Sequence, residues 1–318
     1  MSLRLDKILV IGELNADLLA SGLAQPPTPG REILADDFAM VLGSASAIFA
    51  CGAARLGHRV TFVSRVGDDY FGRFCCAELR RHGIGTRHVT RDPRTRTGVT
   101  MVLSTPQDRA LVTHLGAIAE LAAQHVPAHI WRGHKHLHLT SYFLQTALRP
   151  SFPHLLEQAR AHGLTTSFDP NSAPDGVWPA EIWDTIAQAD TLFLNEPEAL
   201  ELTGTRDAHA ALEFLAQRAA RTVVIKRGAH GAIARRGNKT AIVPAFPVAV
   251  KDTTGAGDSF AAGFVHALMQ GLTLYECLFY GNACGALATQ AAGGTAGQPN
   301  AATLERFIAE HVHTRFQP

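Results

Sequence analysis

The sequence predicts an α/β fold: a doubly wound core in which helices cover both faces of a mostly parallel sheet. Three observations carry this expectation. Short apolar runs alternate with longer helix-patterned stretches, and several of the runs are apolar on both faces, as strands covered from both sides must be. Glycines also stand where helices should end.

In chain order, strands are predicted at residues 8–11, 60–63, 137–139, 165–168, 191–194 and 222–225. Helices are predicted near 45–56, 69–81, 151–162, 196–202 and 208–219, with Gly57, Gly83 and Gly163 at three C-terminal ends. Two stretches break the alternation. Residues 17–38 contain Pro26-Pro27-Thr28-Pro29-Gly30, and 97–114 reads as two strands around the turn Pro106-Gln107-Asp108. Together they predict a small accessory sheet covering a site on the core. The stretch 257–292 reads as two Ala/Gly-rich helices whose small residues permit close packing.

Composition narrows the function classes. The 318 residues are 46% hydrophobic and 18% charged, as expected of one globular unit with a large core. A formal charge of +1 gives no basic field for nucleic acid, so any anion must be held by local groups. Five cysteines without a Cys-x-x-Cys pair indicate neither a disulfide framework nor a zinc site, and reduced thiols in a cytoplasmic protein are expected. No stretch approaches the ~20 apolar residues of a membrane helix.

The most informative run is Lys251-Asp252-Thr253-Thr254-Gly255-Ala256-Gly257-Asp258-Ser259-Phe260, which leads into an apolar helical pattern. A glycine turn entering a helix aims several N–H groups outward at the positive end of the helix dipole, an arrangement that binds an anion such as a transferring phosphoryl group. A carboxylate fixed in the same turn, Asp258, can accept the proton of an attacking hydroxyl. The same four residues also suit an N-capped helix after a flexible turn. The run is neither a Walker A loop, since no Gly-Lys-Ser/Thr follows, nor a dinucleotide fingerprint, since the third glycine is missing.

Asp252-Thr253-Thr254-Gly255-Ala256-Gly257-Asp258 resembles the C-terminal signature of the ribokinase/PfkB carbohydrate kinases, and the resemblance extends in order over nearly the whole chain. It implies a ribokinase-like, Rossmann-type three-layer core in a single domain, 1–318, with a β-sheet lid formed by about 12–40 and 97–115. It also implies ATP as phosphoryl donor with Mg²⁺, Asp258 as catalytic base, and the amides of Gly255, Ala256 and Gly257 as the anion hole.

Other segments carry the resemblance further. Gly12-Glu13-Leu14-Asn15-Ala16-Asp17 is similar to the first strand and turn of the family, which implies sugar contacts for Asn15 and Asp17; an Asx turn ending a strand is the plainer reading. Gly43-Ser44-Ala45-Ser46-Ala47-Ile48 resembles the N-terminal signature and implies substrate contacts at Gly43 and Ser44. It departs from the family at Ser44, usually Gly, and at Ile48, usually an Asn that touches the sugar. Asp169-Pro170-Asn171 resembles an Asp-x-Asn-x-Arg element, which makes Asp169 a substrate candidate, while Ala173 stands in the Arg position and favours a neutral acceptor. Arg31 or Arg109 could compensate from the accessory sheet, where Gln107-Asp108-Arg109 through Gly116-Ala117 is similar to the second lid strand.

On the nucleotide side, Asn195-Glu196-Pro197-Glu198 matches an Asn-x-x-Glu motif, which implies that Asn195 lies by the ATP phosphates and that Glu198 organises Mg²⁺ through water; a helix cap fits the same four residues. Lys226-Arg227-Gly228-Ala229-His230-Gly231 resembles a Lys-x-Gly-x-x-Gly turn beside the nucleotide, placing Lys226, Gly228 and Gly231 there, and reads equally as a hairpin turn. Thr254 and Asn282 complete the implied nucleotide site. Asp252, with the Gly-rich loop 293–297, stands where the family binds a monovalent cation, so K⁺ is implied. Lid strands in this family often pair between subunits, which implies a homodimer.

His134, His136 and His138 alternate as on one face of a strand, where a polar or partly buried surface is expected rather than a metal site. The expected function is therefore phosphorylation of a sugar hydroxymethyl group. A nucleoside kinase and a non-catalytic sugar sensor are the alternatives, and a nicotinamide-dependent dehydrogenase is disfavoured by the absence of Gly-x-Gly-x-x-Gly after the first strand.

Overall fold

Alternation along the first strand sets up the architecture. In β1 (Lys7–Ile11), Ile8 and Val10 face one layer of helices while Leu9 and Ile11 face the other, so the strand is buried on both sides. The computed structural model describes residues 6–105, 109–218 and 221–315.

The remaining strands are β2 (Asn15–Ser21), β3 (Asp37–Leu42), β4 (Arg59–Gly67), β5 (Gly85–Asp92), β6 (Gly98–Ser104), β7 (Arg109–His114), β8 (His136–Thr140), β9 (Thr165–Asp169), β10 (Thr191–Asn195), β11 (Thr222–Lys226), β12 (Ala232–Arg236) and β13 (Lys239–Val243). The helices are α1 (Ala45–Arg55), α2 (Tyr70–Arg81), α3 (Ala117–Glu120), α4 (Phe152–Ala161), α5 (Ile182–Gln188), α6 (Glu196–Thr203), α7 (Ala208–Arg218), α8 (Ala256–Met269), α9 (Leu274–Ala288) and α10 (Ala301–Arg315).

Nine strands form the main sheet in the order β13-β12-β11-β10-β9-β8-β1-β4-β5. It is parallel from β5 to β11, and β12 and β13 extend it as an antiparallel edge. From β1 the chain winds first through β4 to β5, then returns to β8 and winds the other way. The direction therefore reverses between β1 and β8, and a crevice opens at the carboxyl ends of these strands, where α/β sheets bind ligands. A second sheet, β3-β2-β6-β7, stands apart from the first.

Two apolar cores flank the main sheet. One gathers Phe49, Phe193, Phe260 and Phe264 from α1, β10 and α8; the other gathers Phe152, Phe168, Ile182 and Leu212 from α4, β9, α5 and α7. The predicted close packing of the C-terminal helices is realised at Gly263, where a Cβ would stand 2.6 Å from Cys284 Sγ and 2.7 Å from the Tyr280 carbonyl. Gly57, Gly83 and Gly163 take positive φ just past α1, α2 and α4, as their positions predicted.

Several elements were not anticipated. The edge strands β5 and β13 and the strand β12 beside β13 were missed because β5 is almost wholly polar and β12 and β13 are only five residues each with charged residues at their ends, and α5 and α10 were missed as well. His134 lies before β8 rather than on it, so the three histidines do not share a strand face. Two expectations, the Pro106-Gln107-Asp108 turn and the inclusion of Ala219 in a helix, lie outside the described residues.

Candidate active site

The N-terminus of α8 is where the backbone is most constrained. Gly255 takes φ +69, and a Cβ there would meet Gly294 Cα at 2.8 Å and Ile48 Cγ2 at 2.9 Å, so glycine is required by conformation and by space. Among the described residues no side chain caps α8, nor α3, α4 or α5, whereas Ser44, Asp69, Asn195 and Thr273 cap α1, α2, α6 and α9. The first-turn N–H groups of Gly257 and Asp258 have no acceptor within their own helix, and they sit at the positive end of its dipole.

Behind this turn, Asp252 accepts hydrogen bonds from the N–H groups of Thr254 (2.9 Å) and Gly293 (2.8 Å), stitching the turn to the C-terminal Gly-rich loop. Burial opposes its charge, but these amides outweigh burial and hold the carboxyl below its usual range. In front, Arg109 of β7 donates to Thr254 Oγ1 at 2.7 Å, joining the second sheet to the turn.

Four acids converge on the same volume. Asp258 is half-buried, and its carboxyl is pushed up to about 8. Burial is the main cause; the carboxylates of Asp169, Glu13 and Glu198 add to it, and the Lys226 ammonium partly offsets them. Lys226, at the end of β11, donates to Asp169 Oδ2 at 2.5 Å, and Asp169, at the end of β9, is 1% exposed. Glu198 accepts from the Asn195 N–H (2.8 Å) and the Ser172 hydroxyl (2.9 Å), while Asn195 Oδ1 accepts from the Glu198 N–H (2.8 Å). The two therefore form a reciprocal capping box on α6. Burial and neighbouring Asp169 raise the Glu198 carboxyl.

Beneath the second sheet, Asn15 donates to Asp17 (2.8 Å) and Thr100 (3.3 Å). A Cβ on Gly43 would meet Asp17 Oδ1 at 2.0 Å, so Asn15, Asp17 and Gly43 form one close group. Burial lifts Asp17 to about 7 against the Asn15 hydrogen bond and the Arg109 charge. Ser44 holds φ +75, a conformation that suits the glycine expected there, and its hydroxyl donates to the Glu13 carbonyl (2.5 Å) while accepting the Ala47 N–H (3.1 Å). Ile48 packs on Gly255 and Gly294, supporting the glycine turn from below.

Gly228, Gly231 and Asn282 belong to a third group at the sheet edge. Gly228 and Gly231 turn the antiparallel β11–β12 connection, and a Cβ on Gly231 would stand 2.1 Å from the Val243 carbonyl. Asn282 donates to the carbonyls of Val243 (3.0 Å) and Pro244 (3.2 Å).

The largest omission from the sequence reading is Glu13. Its carboxylate accepts from the Ser46 N–H (3.1 Å) and hydroxyl (2.5 Å), from Ser141 (2.7 Å) and from Gln145 (3.4 Å), tying α1 and the end of β8 to β1 at the reversal of sheet direction. An acid closing the apolar run Lys7-Ile8-Leu9-Val10-Ile11-Gly12 was the available signal. Nearby, Ser141 (φ 54) and Asn171 (φ 58) hold left-handed backbone at the ends of β8 and β9, and they hydrogen-bond each other.

The histidine row is structural. His134 pairs with Thr61, while His136 and His138 share the Ser167 hydroxyl, with His138 stacked on Phe49. Among the described residues no cluster of three or more His, Cys, Asp or Glu is arranged to hold a metal ion. No helix among them is long and apolar enough to cross a membrane.

An uncapped helix terminus, a buried ammonium and a half-buried carboxyl in one crevice suit an anionic phosphoryl group. Comparison with known proteins agrees: the pfkB family carbohydrate kinase model matches residues 5–301. The chain belongs to the pfkB family of carbohydrate kinases. A 2-dehydro-3-deoxygluconokinase of Bacillus subtilis (strain 168) is 31% identical over 285 residues, covering 86% of this chain and 88% of that one. An E. coli protein named ribokinase II, solved in complex with ATP and Mg²⁺, superposes with a TM-score of 0.84 at 28% identity, covering 96% of this chain and 100% of that one. A fructokinase double mutant from Vibrio cholerae O395, solved with fructose, ADP and potassium ion, gives a TM-score of 0.79 at 29% identity, covering 97% and 100%. The ribokinase-like fold, with its separate small sheet, is therefore shared, and the protein is a carbohydrate kinase.

Proposed function

We propose that this kinase transfers the γ-phosphoryl group of ATP to a primary hydroxyl of a small sugar, with Asp258 as general base and the 255–258 turn as anion hole. The observation that carries the reading is the meeting of the Asp258 carboxyl with the uncapped amides of α8. Ionised Asp258 takes the hydroxyl proton as the sugar oxygen forms its bond to the γ-phosphorus. The bond from that phosphorus to the bridging oxygen breaks, and ADP leaves with the electron pair. Of the 255–258 amides, those of Gly257 and Asp258 are the donors left for negative charge on the transferring group, since the Ala256 N–H already donates to the Thr253 carbonyl at 3.2 Å.

The sugar would lie between Asn15, Asp17, Gly43 and Ser44 and the core. The second sheet would act as a lid that excludes water. Asn195, Lys226, Gly228, Gly231, Thr254 and Asn282 would line the nucleotide side. When bound, Mg²⁺ would neutralise phosphate charge. Glu198 and Asn195 fit a water-mediated role, because the capping box already orients the Glu198 carboxylate. Asp252 and the loop it binds are the candidates for a K⁺ site. Arg109, beside Asp17 and Thr254, keeps sugar acids among the acceptors despite Ala173.

Phe38 (64% exposed), Met101 (45%) and Val112 (51%) lie on one face of the lid sheet, which favours a homodimer that covers it. We take the working compartment to be the cytoplasm.

The test is ATP consumption with 2-dehydro-3-deoxygluconate, fructose, ribose and adenosine as acceptors, with Mg²⁺ and with or without K⁺. Turnover of a sugar, and its loss in Asp258→Asn, is the expected result. Selective turnover of adenosine would favour a nucleoside kinase, and silence on every acceptor would favour a sensor.

A further inference from the structure

We infer that Lys226 is a further catalytic residue, contacting the phosphoryl group in flight, and that Asp169 is the positioning residue that aims it. The inference rests on the kinase reading above. It reassigns two side chains whose separate motifs placed one by the nucleotide and the other by the sugar.

Strand order brings the two together. β9 and β11 flank β10, and Asp169 and Lys226 are the last residues of their strands, so both side chains emerge at the carboxyl edge of the sheet. Lys226 Nζ donates to Asp169 Oδ2 at 2.5 Å. The same nitrogen lies 3.2 Å from where a Cβ on Gly257 would stand, directly against the turn that holds the uncapped amides. Asp169 occupies one of the three ammonium protons and leaves the others for oxygens above that turn. From the surrounding elements, Glu198 of α6, Asp258 of α8 and His138 of β8 also face the ammonium. Burial opposes its charge, but Asp169 and Glu198 outweigh burial and keep it a cation.

A fixed cation at the anion hole stabilises charge that develops in the transition state more than charge in the ground state. The competing account makes Lys226 only the counter-ion that lets Asp169 be buried. The two accounts differ in one respect. Removing both members of a purely structural buried ion pair leaves no orphan charge and is often nearly neutral, whereas removing a catalytic cation is not repaired by removing its partner.

The experiment is a double-mutant cycle of Lys226→Met, Asp169→Asn and the pair together, with Lys226→Arg as the conservative variant. Rates are measured with whichever of 2-dehydro-3-deoxygluconate, fructose or ribose the wild type phosphorylates. We expect Lys226→Met to lower kcat about 10²–10³-fold with the sugar KM within about threefold. Asp169→Asn should lower kcat about tenfold, Lys226→Arg should recover part of the loss, and the double variant should be no faster than Lys226→Met. Wild-type kcat in Lys226→Met, or recovery of the double variant to within about threefold of wild type, would overturn the inference. Should Lys226→Met fail to fold, the double variant, which removes the Asp169 charge together with that of its partner, decides by the same criterion. If the wild type itself phosphorylates none of the sugars, the kinase reading fails first and this inference falls with it.

Discussion

Helices α6 and α8 each carry an acid at the third position of the first turn, and these two acids have different fates. In α6, Glu198 reaches back to the Asn195 N–H while Asn195 answers the Glu198 N–H, so the terminus is satisfied from within. In α8, the capping position is Gly255, which has no side chain to offer, and Asp258 is one methylene shorter than glutamate. Its carboxyl remains in the crevice beside Lys226, Asp169 and Glu13. A capped terminus consumes its donors for stability; an uncapped one keeps them for a ligand, at a cost to the fold.

The contrast is broken most severely at Asp258 itself. Asp258→Asn should lower kcat about 10²–10⁴-fold with the fold and ATP binding intact, as read by steady-state kinetics and calorimetry. Next is Gly255→Ala, which adds a positive-φ penalty to a collision with Gly294 and Ile48. It should cost at least tenfold in kcat and about 1–3 kcal/mol of stability. Gly204→Ala, at a positive-φ position with open space around it, is the control and should leave kcat unchanged. A smaller effect is expected at the other terminus: Asn195→Ala removes a cap and should lower stability by about 0.5–2 kcal/mol in denaturant titration. Glu198→Gln keeps a carbonyl oxygen for the Asn195 N–H, so it should change Tm little. It should still raise the Mg²⁺ concentration needed for half-maximal rate if the water-mediated role holds.

How far these features could be read from the sequence follows from chain distance. The α8 turn was legible because glycines, threonines and the acid are contiguous, and helix geometry converts that order directly into a site. The α6 box was legible for the same reason, both as a cap and as a motif. The parallel core followed from two-sided apolar runs, while β12 and β13 escaped because five-residue strands with charged ends resemble loops. Glu13 stayed hidden because its partners, Ser46, Ser141 and Gln145, come from distant segments that meet only where the sheet reverses direction. Asp169 and Lys226 were each noticed, yet their pairing depends on β9 and β11 being two strands apart, which no local pattern encodes. Ser44 and Ile48 looked like departures from the family. In the fold, Ser44 adopts the backbone expected of glycine, and Ile48 supports Gly255 rather than offering a polar contact.

The central claim is that α8 trades stability for a base at its open end, and the pH dependence of that trade has a definite sign. An unfolded Asp ionises near 3.8, whereas Asp258 in the fold does so at about 8. Between those values the fold retains a proton that the unfolded chain has released, so this carboxyl costs stability increasingly as pH rises and levels off above about 8. Buried His136 and His266, held near 3 and 4 by burial, lower stability only as pH falls below about 6.5, while Asp17, at about 7, and the buried thiols act alike on wild type and variant, so the difference between the two from pH 7 to 9 isolates Asp258. The most direct measurement is turnover and Tm of Asp258→Asn beside the wild type across that range. We predict that turnover is lost while the Tm difference, variant minus wild type, grows from pH 7 to 9. Retained turnover, or a Tm difference that is flat or shrinks as pH rises, would contradict the account.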